Sequence, residues 1–594
     1  MDQQQMSWRA SPVAAMMTAF FMIIMMTVIP GTNGQDQQTG NHPDWPRWCG
    51  KVYEAGYPAF DPGGQTVPPT PIGGAAPLLD VQFKPRYSLY LDSETQGEFV
   101  VNAPLSQFHG SPWKKTGNGT RSDWLIFSIH MTETDDVLVA NKVVVNTTGN
   151  VFAFDLSRLR RPADLKPIKV VLYAAPEGGD PTWTATSEIL YLPEKKNKTG
   201  SVTRLDNLRG GMWFRNTASD QKFAPLLPYG FYSSYDGFLG NNRTAEIEHY
   251  ADLGLNTITP LTIYRDSTPA FDYMDRIDLK FMYNLREGYK NLTYVREQVL
   301  AARDADAIYA YWSADEPDGW QDPFSIPRAA YDLIRQLDPY HPVAVVLNCQ
   351  NYYFQEYTDG AADIIMEDVY PIGINSTFSK WGTACNATLG DCGCDNCDGN
   401  MQDVPERLDT LARYEDWLGL WPKTKVHNPQ SFHGQDYWFR DPSPFEEYVM
   451  CLLAFNHGAK GIISWVYPTS ELLGQAHGAL ARVVTRSPVV DFIVGTQDDS
   501  ISGPYRTTPD AAGDVVDVAY WVDGGRRQML VSVVNGGYAD IEQIVNVAVP
   551  NAIVVSSVAW MSGNASWKLE GERLSAARLP ALSTTLVILD LKTV

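Results

Sequence analysis

One pattern constrains this chain more than any other. From residue 226 to about residue 495, short β-branched and aromatic runs alternate with helical stripes. The runs fall at 228–232, 255–260, 280–285, 307–314, 343–347, 363–368, 425–428 and 461–466. The cleanest stripe between them is Ile326, Ala329, Ala330, Leu333, Ile334 and Leu337. Eight strand–helix repeats over about 270 residues predict a (β/α)8 barrel. A doubly wound open sheet usually carries a glycine-rich phosphate turn after its first strand. Here the first strand runs into Tyr-Ser-Ser-Tyr-Asp-Gly-Phe at 232–238, which has no such turn.

A chain of 594 residues is too long for one core. Short strands without a long helical period fill 80–200, and strands return without helices over 496–594. Both stretches read as β-sandwiches. The expected fold is therefore multidomain α/β, with the barrel at 201–495 between an N-terminal and a C-terminal sandwich. Residues 35–79 are rich in Pro, Gly and Gln, with Trp45, Trp48 and Cys49 interspersed. They read as an irregular segment that packs on something else.

Arg9 precedes an apolar run over 13–29 that ends in Pro30-Gly31. The run is short for a membrane span, which predicts an export signal over 1–34, with an uncleaved anchor as the alternative. Asn118, Asn146, Asn197, Asn242, Asn291, Asn375, Asn386 and Asn564 head glycosylation sequons. A secreted glycoprotein, extracellular or in a cell wall, is the expectation, with no membrane contact after cleavage. Cys385, Cys392, Cys394 and Cys397 crowd an insertion at 375–404. In an oxidising compartment they predict two local disulfides of open connectivity, with a zinc knot as the alternative. Cys349 and Cys451 read as buried thiols. The net charge of −22 argues against nucleic acid and suits a neutral or cationic substrate. Oligomeric state is not written in the sequence.

A barrel keeps its chemistry just past the C-terminal ends of its strands. Those positions hold Tyr232 and Asp236, Tyr264, Asn284, Asp315 and Glu316, Asn348, then Glu367, Asp368 and Tyr370, Asn428 and Gln430, and Trp465 and Tyr467. Acids for proton transfer, amides for hydroxyls and aromatics for stacking suit a sugar-cleaving site. No Ser-His-Asp motif, phosphate loop or metal-ligand spacing accompanies them, so no cofactor or metal is expected. Each has a plainer reading. Paired acids can cap a following helix, Glu367 and Asp368 can form a structural bridge, and Trp465 can fill the barrel.

Ala-Asp-Glu-Pro at 314–317 resembles the acid/base strand of barrel glycoside hydrolases. In their large retaining clan that strand ends Asn-Glu-Pro. This chain has Asp315 in place of the asparagine, and Val-His-Asn-Pro-Gln at 426–430 where that clan carries its second glutamate. The Asp-Glu pair is similar to that of the family 20 and 123 N-acetylhexosaminidases. That resemblance implies Glu316 as proton donor and Asp315 as the residue orienting the substrate's acetamido nucleophile. Gly-Ala-Lys-Gly-Ile-Ile-Ser-Trp at 458–465 is similar to the eighth strand of such barrels, whose tryptophan floors the site.

The expected function is hydrolysis of O-glycosidic bonds in an oligosaccharide or polysaccharide. A donor at Glu316 needs a raised pKa, which Asp315 and a pocket of Tyr309, Tyr311, Trp312 and Trp465 would supply. The second catalytic group is open between Asp315 with substrate assistance and Glu367 or Asp368 across the barrel. The alternative function is an inactive barrel that binds glycans or serves the cell wall.

Overall fold

The structure is a computed structural model that describes residues 42–72, 77–113, 124–160, 162, 164–176, 183–195, 199–510 and 515–592. The expected export signal, Asn118 and Asn197 lie outside the described residues. Eight parallel strands close a barrel: β1 Tyr229–Ser233, β2 Thr257–Pro260, β3 Lys280–Asn284, β4 Ile308–Asp315, β5 Val343–Leu347, β6 Ile364–Asp368, β7 Thr424–Asn428 and β8 Ile462–Tyr467. Such strands are covered on both faces, by helices outside and by side chains filling the barrel inside, so β5 reads Val-Ala-Val-Val-Leu and is buried throughout.

The helices between and after the strands include α1 Thr244–Asp252, α2 Tyr264–Arg276, α3 Leu292–Ala302, α4 Ser325–Leu337, α5 Phe354–Thr358, α6 Asp403–Leu418, α7 Pro444–Asn456 and α8 Glu471–Val484. Two of them were illegible in the sequence. α2 is broken at Ser267 and carries Pro269, which hides its stripe. α5 has only 5 residues, too few to show a period.

Alternation along the strands sorts side chains into two layers. Tyr232, Met282, Trp312, Val346, Met366, Val426 and Ile463 fill the barrel, while Phe231, Phe281, Tyr311, Val345, Ile365 and Ile462 face the helices. A small sheet of Val202–Leu205, Met212–Arg215 and Ala224–Leu226 packs Leu205, Met212, Phe214 and Leu226 against the barrel filling.

Before the barrel, a four-stranded and a three-stranded antiparallel sheet enclose one core containing Phe83, Phe99, Phe127, Ile129 and Leu172. After it, a five-stranded and a three-stranded sheet enclose Val518, Val531, Val547 and Leu574. Among the described residues no helix is long and apolar enough to cross a membrane.

Candidate active site

Two neighbours on a regular strand point to opposite faces. Asp315 and Glu316 nevertheless feel each other's charge at the barrel mouth, beside Asp368. β4 shifts register twice, against β3 between Phe281 and Met282 and against β5 between Trp312 and Ala314. Such bulges re-aim a strand end. Glu316 then takes the left-handed conformation at φ 47°. That conformation costs a residue with a Cβ roughly 1–2 kcal/mol, and strain of this kind gathers at functional positions. It turns the Glu316 carboxyl back toward the mouth.

Glu316 hydrogen-bonds to the carboxyl of Asp368 on β6. Its Oε1 accepts from Asn348 Nδ2 at 3.1 Å. Burial, then the charges of Asp368 and Asp315, push Glu316 well above the usual carboxylate range. Burial lifts Asp368 to about 8, against the pull of the proton that Glu316 donates to it. Their contact raises Glu316 and lowers Asp368, so Asp368 is the first of the two to ionise.

Asp315 is held differently. Its Oδ2 accepts from Arg286 Nη1 at 2.9 Å. Burial still raises its pKa, although Arg286 opposes this. The guanidinium lies 5.0 Å from the centre of the Trp312 ring and 5.5 Å from that of Trp465. Tyr232 packs against both indoles, at 4.7 and 5.3 Å, and its hydroxyl accepts from Asn428 Nδ2 at 3.0 Å. Asp318 is buried and accepts from the backbone N–H of Gly319, Asn348 and Cys349, which ties the loop after β4 to the loop after β5. Burial raises it to about 6.

Asp368 Oδ1, Asn428 Oδ1 and Trp312 Nε1 are buried without a hydrogen-bond partner among the described residues. Orphans of this kind are rare in folded proteins and call for a ligand or solvent. Asp368 and Asn428 are direct neighbours across β6 and β7, and Asn428 and Trp312 both touch Tyr232. The unpaired atoms thus belong to the same end of the barrel as the acid pair.

Not every expected residue gathers there. Glu367 alternates with Asp368 and points into the helix layer, where its Oε1 meets His427 Nδ1 at 2.5 Å with both side chains fully buried. Tyr264 opens α2 and stacks on Phe271 at 4.3 Å in that same layer. Tyr467 packs against Phe231, Phe238 and Tyr250 rather than beside Trp465. Gln430 spends its amide on the backbone of Ile372 and Phe432. Asp236 is exposed in the turn after β1, and Asn284 Oδ1 caps the N–H of Arg286. Tyr311 faces outward and donates to Asp338, so of the expected aromatic pocket Tyr309, Trp312 and Trp465 are the inward members. Tyr370 stays with the acids, and burial and Asp368 raise its pKa.

Three contributors escaped the sequence reading: Arg286, Asp318 and Trp48. Trp48 Nε1 donates to Asn348 Oδ1 at 2.9 Å, from a segment 300 residues upstream. Cys349 is not a thiol as expected. It is bonded to Cys49, which fastens that segment at the barrel mouth. Cys385 pairs with Cys392 and Cys394 with Cys397, while Cys451 is a buried thiol.

Behind β8, Glu447, Cys451 and His477 bring ligand atoms within 4.8 Å of one another. Tyr229 and Ser431 already hydrogen-bond to all three. A cavity of about 420 Å³ opens beside Phe214, Asn216, Asp278 and Lys280 at the opposite barrel end, where Asp278 pairs with both Asn216 and Lys280.

No family model matches this sequence, and no curated protein matches it. Among solved structures it is similar to a β-glucuronidase of Bifidobacterium dentium complexed with coumarin-3-O-glucuronide, at 13% identity and a TM-score of 0.31 over 68% of this chain and 67% of that one. A putative β-galactosidase from Bacteroides fragilis is 10% identical with a TM-score of 0.33, over 87% and 73% of the two chains. A debranching enzyme from Nostoc punctiforme is 11% identical with a TM-score of 0.36, over 58% and 88%. Likeness at this level carries no argument about activity, and the functional reading stands on the geometry of the site.

Proposed function

We propose that this chain hydrolyses O-glycosidic bonds with Glu316 as general acid and Asp368 as its partner. The observation that carries the reading is the contact between two buried carboxyls at the mouth of the barrel, of which Asp368 ionises first and Glu316 keeps its proton. One neutral acid and one carboxylate are the starting states the reaction needs. Glu316 protonates the departing oxygen as its bond to the anomeric carbon breaks. Inverting pairs keep about 6.5–9.5 Å between their carboxyls for a water, and retaining pairs about 5–5.5 Å. Two carboxyls in contact leave no room for a water between them, which favours direct attack by Asp368 once a sugar parts the two groups. Glu316, now ionised, takes a proton from the water that releases the sugar from Asp368.

Arg286 already holds Asp315, so an acetamido-assisted route would lack a free carboxylate to orient the nucleophile. Trp465 is half-buried beside Tyr232 and offers a sugar a stacking surface. Export and glycosylation belong to the same reading. The described sequon asparagines Asn146, Asn242, Asn291, Asn375, Asn386 and Asn564 are all exposed, as glycan attachment requires.

The test is turnover on a panel of aryl glycosides and polysaccharides. Glu316→Gln should lower kcat by about 10²–10⁴-fold on substrates with poor leaving groups. Asp368→Gly should be inactive and regain turnover with azide, giving a glycosyl azide of anomeric configuration opposite to the substrate. Undiminished turnover in Glu316→Gln would overturn the proposal. Binding without turnover in the wild type would favour a glycan-binding barrel.

A further inference from the structure

The amide of Asn348 lies between two groups of different character. On one side is the indole of Trp48, whose N–H can only donate. The atom facing it at 2.9 Å is therefore Oδ1, which leaves Nδ2 to face Glu316 Oε1 at 3.1 Å. An amide orientation is usually inferred from its whole network, and here one donor-only neighbour decides it. An oxygen that accepts an amide N–H is the carbonyl oxygen of a protonated carboxyl, so the proton belongs on the other one.

We propose that Trp48 is a positioning residue that locks the Asn348 amide and so assigns the Glu316 proton to Oε2, the oxygen left free for Asp368 and the sugar. This rests on the reading of Glu316 as the acid and adds a control on it from outside the barrel. The lock is built in. The Cys49–Cys349 disulfide fastens the residues next to both Trp48 and Asn348. Arg407 Nη1 holds the Asn348 carbonyl at 2.9 Å. Gly319 lies so close under the Trp48 indole that a Cβ there would run into the ring. Trp320 meets the same indole edge-on at 5.1 Å.

Without the indole N–H, the amide is free to turn Oδ1 toward Glu316. It would then accept the acid's proton, favour the neutral form and divert the proton from the sugar. The other charged or titratable groups around Glu316 are Asp315 at the end of β4 and Asp318 on its own loop, Asp368 on β6 and Tyr370 just after it, Tyr232 from β1, Arg286 after β3 and Arg407 on α6. None of them changes when Trp48 is substituted.

The experiment follows the infrared C=O band of the protonated carboxyl that Glu316→Gln removes, titrated against pH. In Trp48→Phe the midpoint should rise by about 0.5 pH unit or more, and the band should move to the frequency of a carboxyl that donates rather than accepts. Mild reduction of the wild-type disulfide, or Cys49→Ser with Cys349→Ser, should shift it the same way and serves if Trp48→Phe folds poorly. In turnover, Trp48→Phe should lose about tenfold in kcat on poor leaving groups and little on activated aryl glycosides, with KM unchanged. A band and midpoint that stay fixed in Trp48→Phe and after strap release overturn the inference, whatever turnover does. Undiminished turnover in Glu316→Gln overturns instead the glycosidase reading, so the two failures are distinct.

Discussion

At the scale of single residues, the site depends on one backbone conformation and one carboxyl contact. The left-handed turn at Glu316 and the two bulges of β4 bring adjacent acids to the same end of the barrel. The Ala-Asp-Glu-Pro motif made Glu316 legible in the sequence. The choice between Glu367 and Asp368 was not legible, because a parallel strand covered on both faces is apolar at every position and its parity cannot be read. Met366 and Ile364 share the inward parity of Asp368, a fact visible only once the barrel closes. The acid pair also works against the fold. With Asp368 raised to about 8, the folded protein keeps a proton that the unfolded chain has lost above about pH 4. Stability therefore falls as pH rises through that window and is regained below it. Asp368→Asn should raise Tm at pH 7 by about 3 °C or more, and the gain should vanish near pH 4, as measured by calorimetry at the two pH values.

At the scale of elements, buried polar pairs in the helix layer brace the strands that carry the acids. Glu367 and His427 face each other across β6 and β7, directly behind Asp368 and Asn428. Removing one partner of a fully buried pair costs about 3–5 kcal/mol. Glu367→Ala should lower Tm sharply yet leave kcat/KM of the folded fraction within about twofold, which urea titration and active-fraction assays would check. A loss of turnover without loss of stability would place Glu367 in the chemistry instead. α7 starts at a capping box in which Ser443 Oγ accepts from Glu446 N and Glu446 Oε2 accepts from Ser443 N. Ser443→Ala should cost about 1 kcal/mol in the same titration, with no change in KM. Tyr264 shows the limit of reading loops by position. It follows a strand end as a ligand residue would, but Ser267 and Pro269 break the stripe and conceal a helix that draws its ring into the apolar layer.

At the scale of the whole molecule, the eight-strand period was visible because the strands recur at even spacing and most repeats carry their own apolar stripe. The Cys49–Cys349 link was not visible, since sequence spacing says nothing about a contact 300 residues apart. The cores are joined unequally. Trp521, Leu530, Val534, Leu586 and Ile588 of the C-terminal five-stranded sheet belong to one continuous apolar cluster with the barrel's helix layer, including Leu453 and Phe455 of α7. The N-terminal sandwich encloses a smaller core, joined to the rest through Trp213 and through a small cluster that includes Leu91, Leu192 and Val202. The polar contacts beside them include Arg86, which ion-pairs with Asp206 and donates to the carbonyls of Thr496 and Gln497. A large shared apolar core couples unfolding more strongly than a small one, because exposing one side exposes the other to water. Scanning calorimetry should therefore resolve the N-terminal sandwich as a separate transition, with the barrel and C-terminal sandwich melting together. A chain cut after residue 495 should aggregate rather than fold, because the cut bares the α7 face that the C-terminal sheet covers. If that truncated barrel were monomeric and melted at the wild-type temperature, the shared core would contribute no coupling.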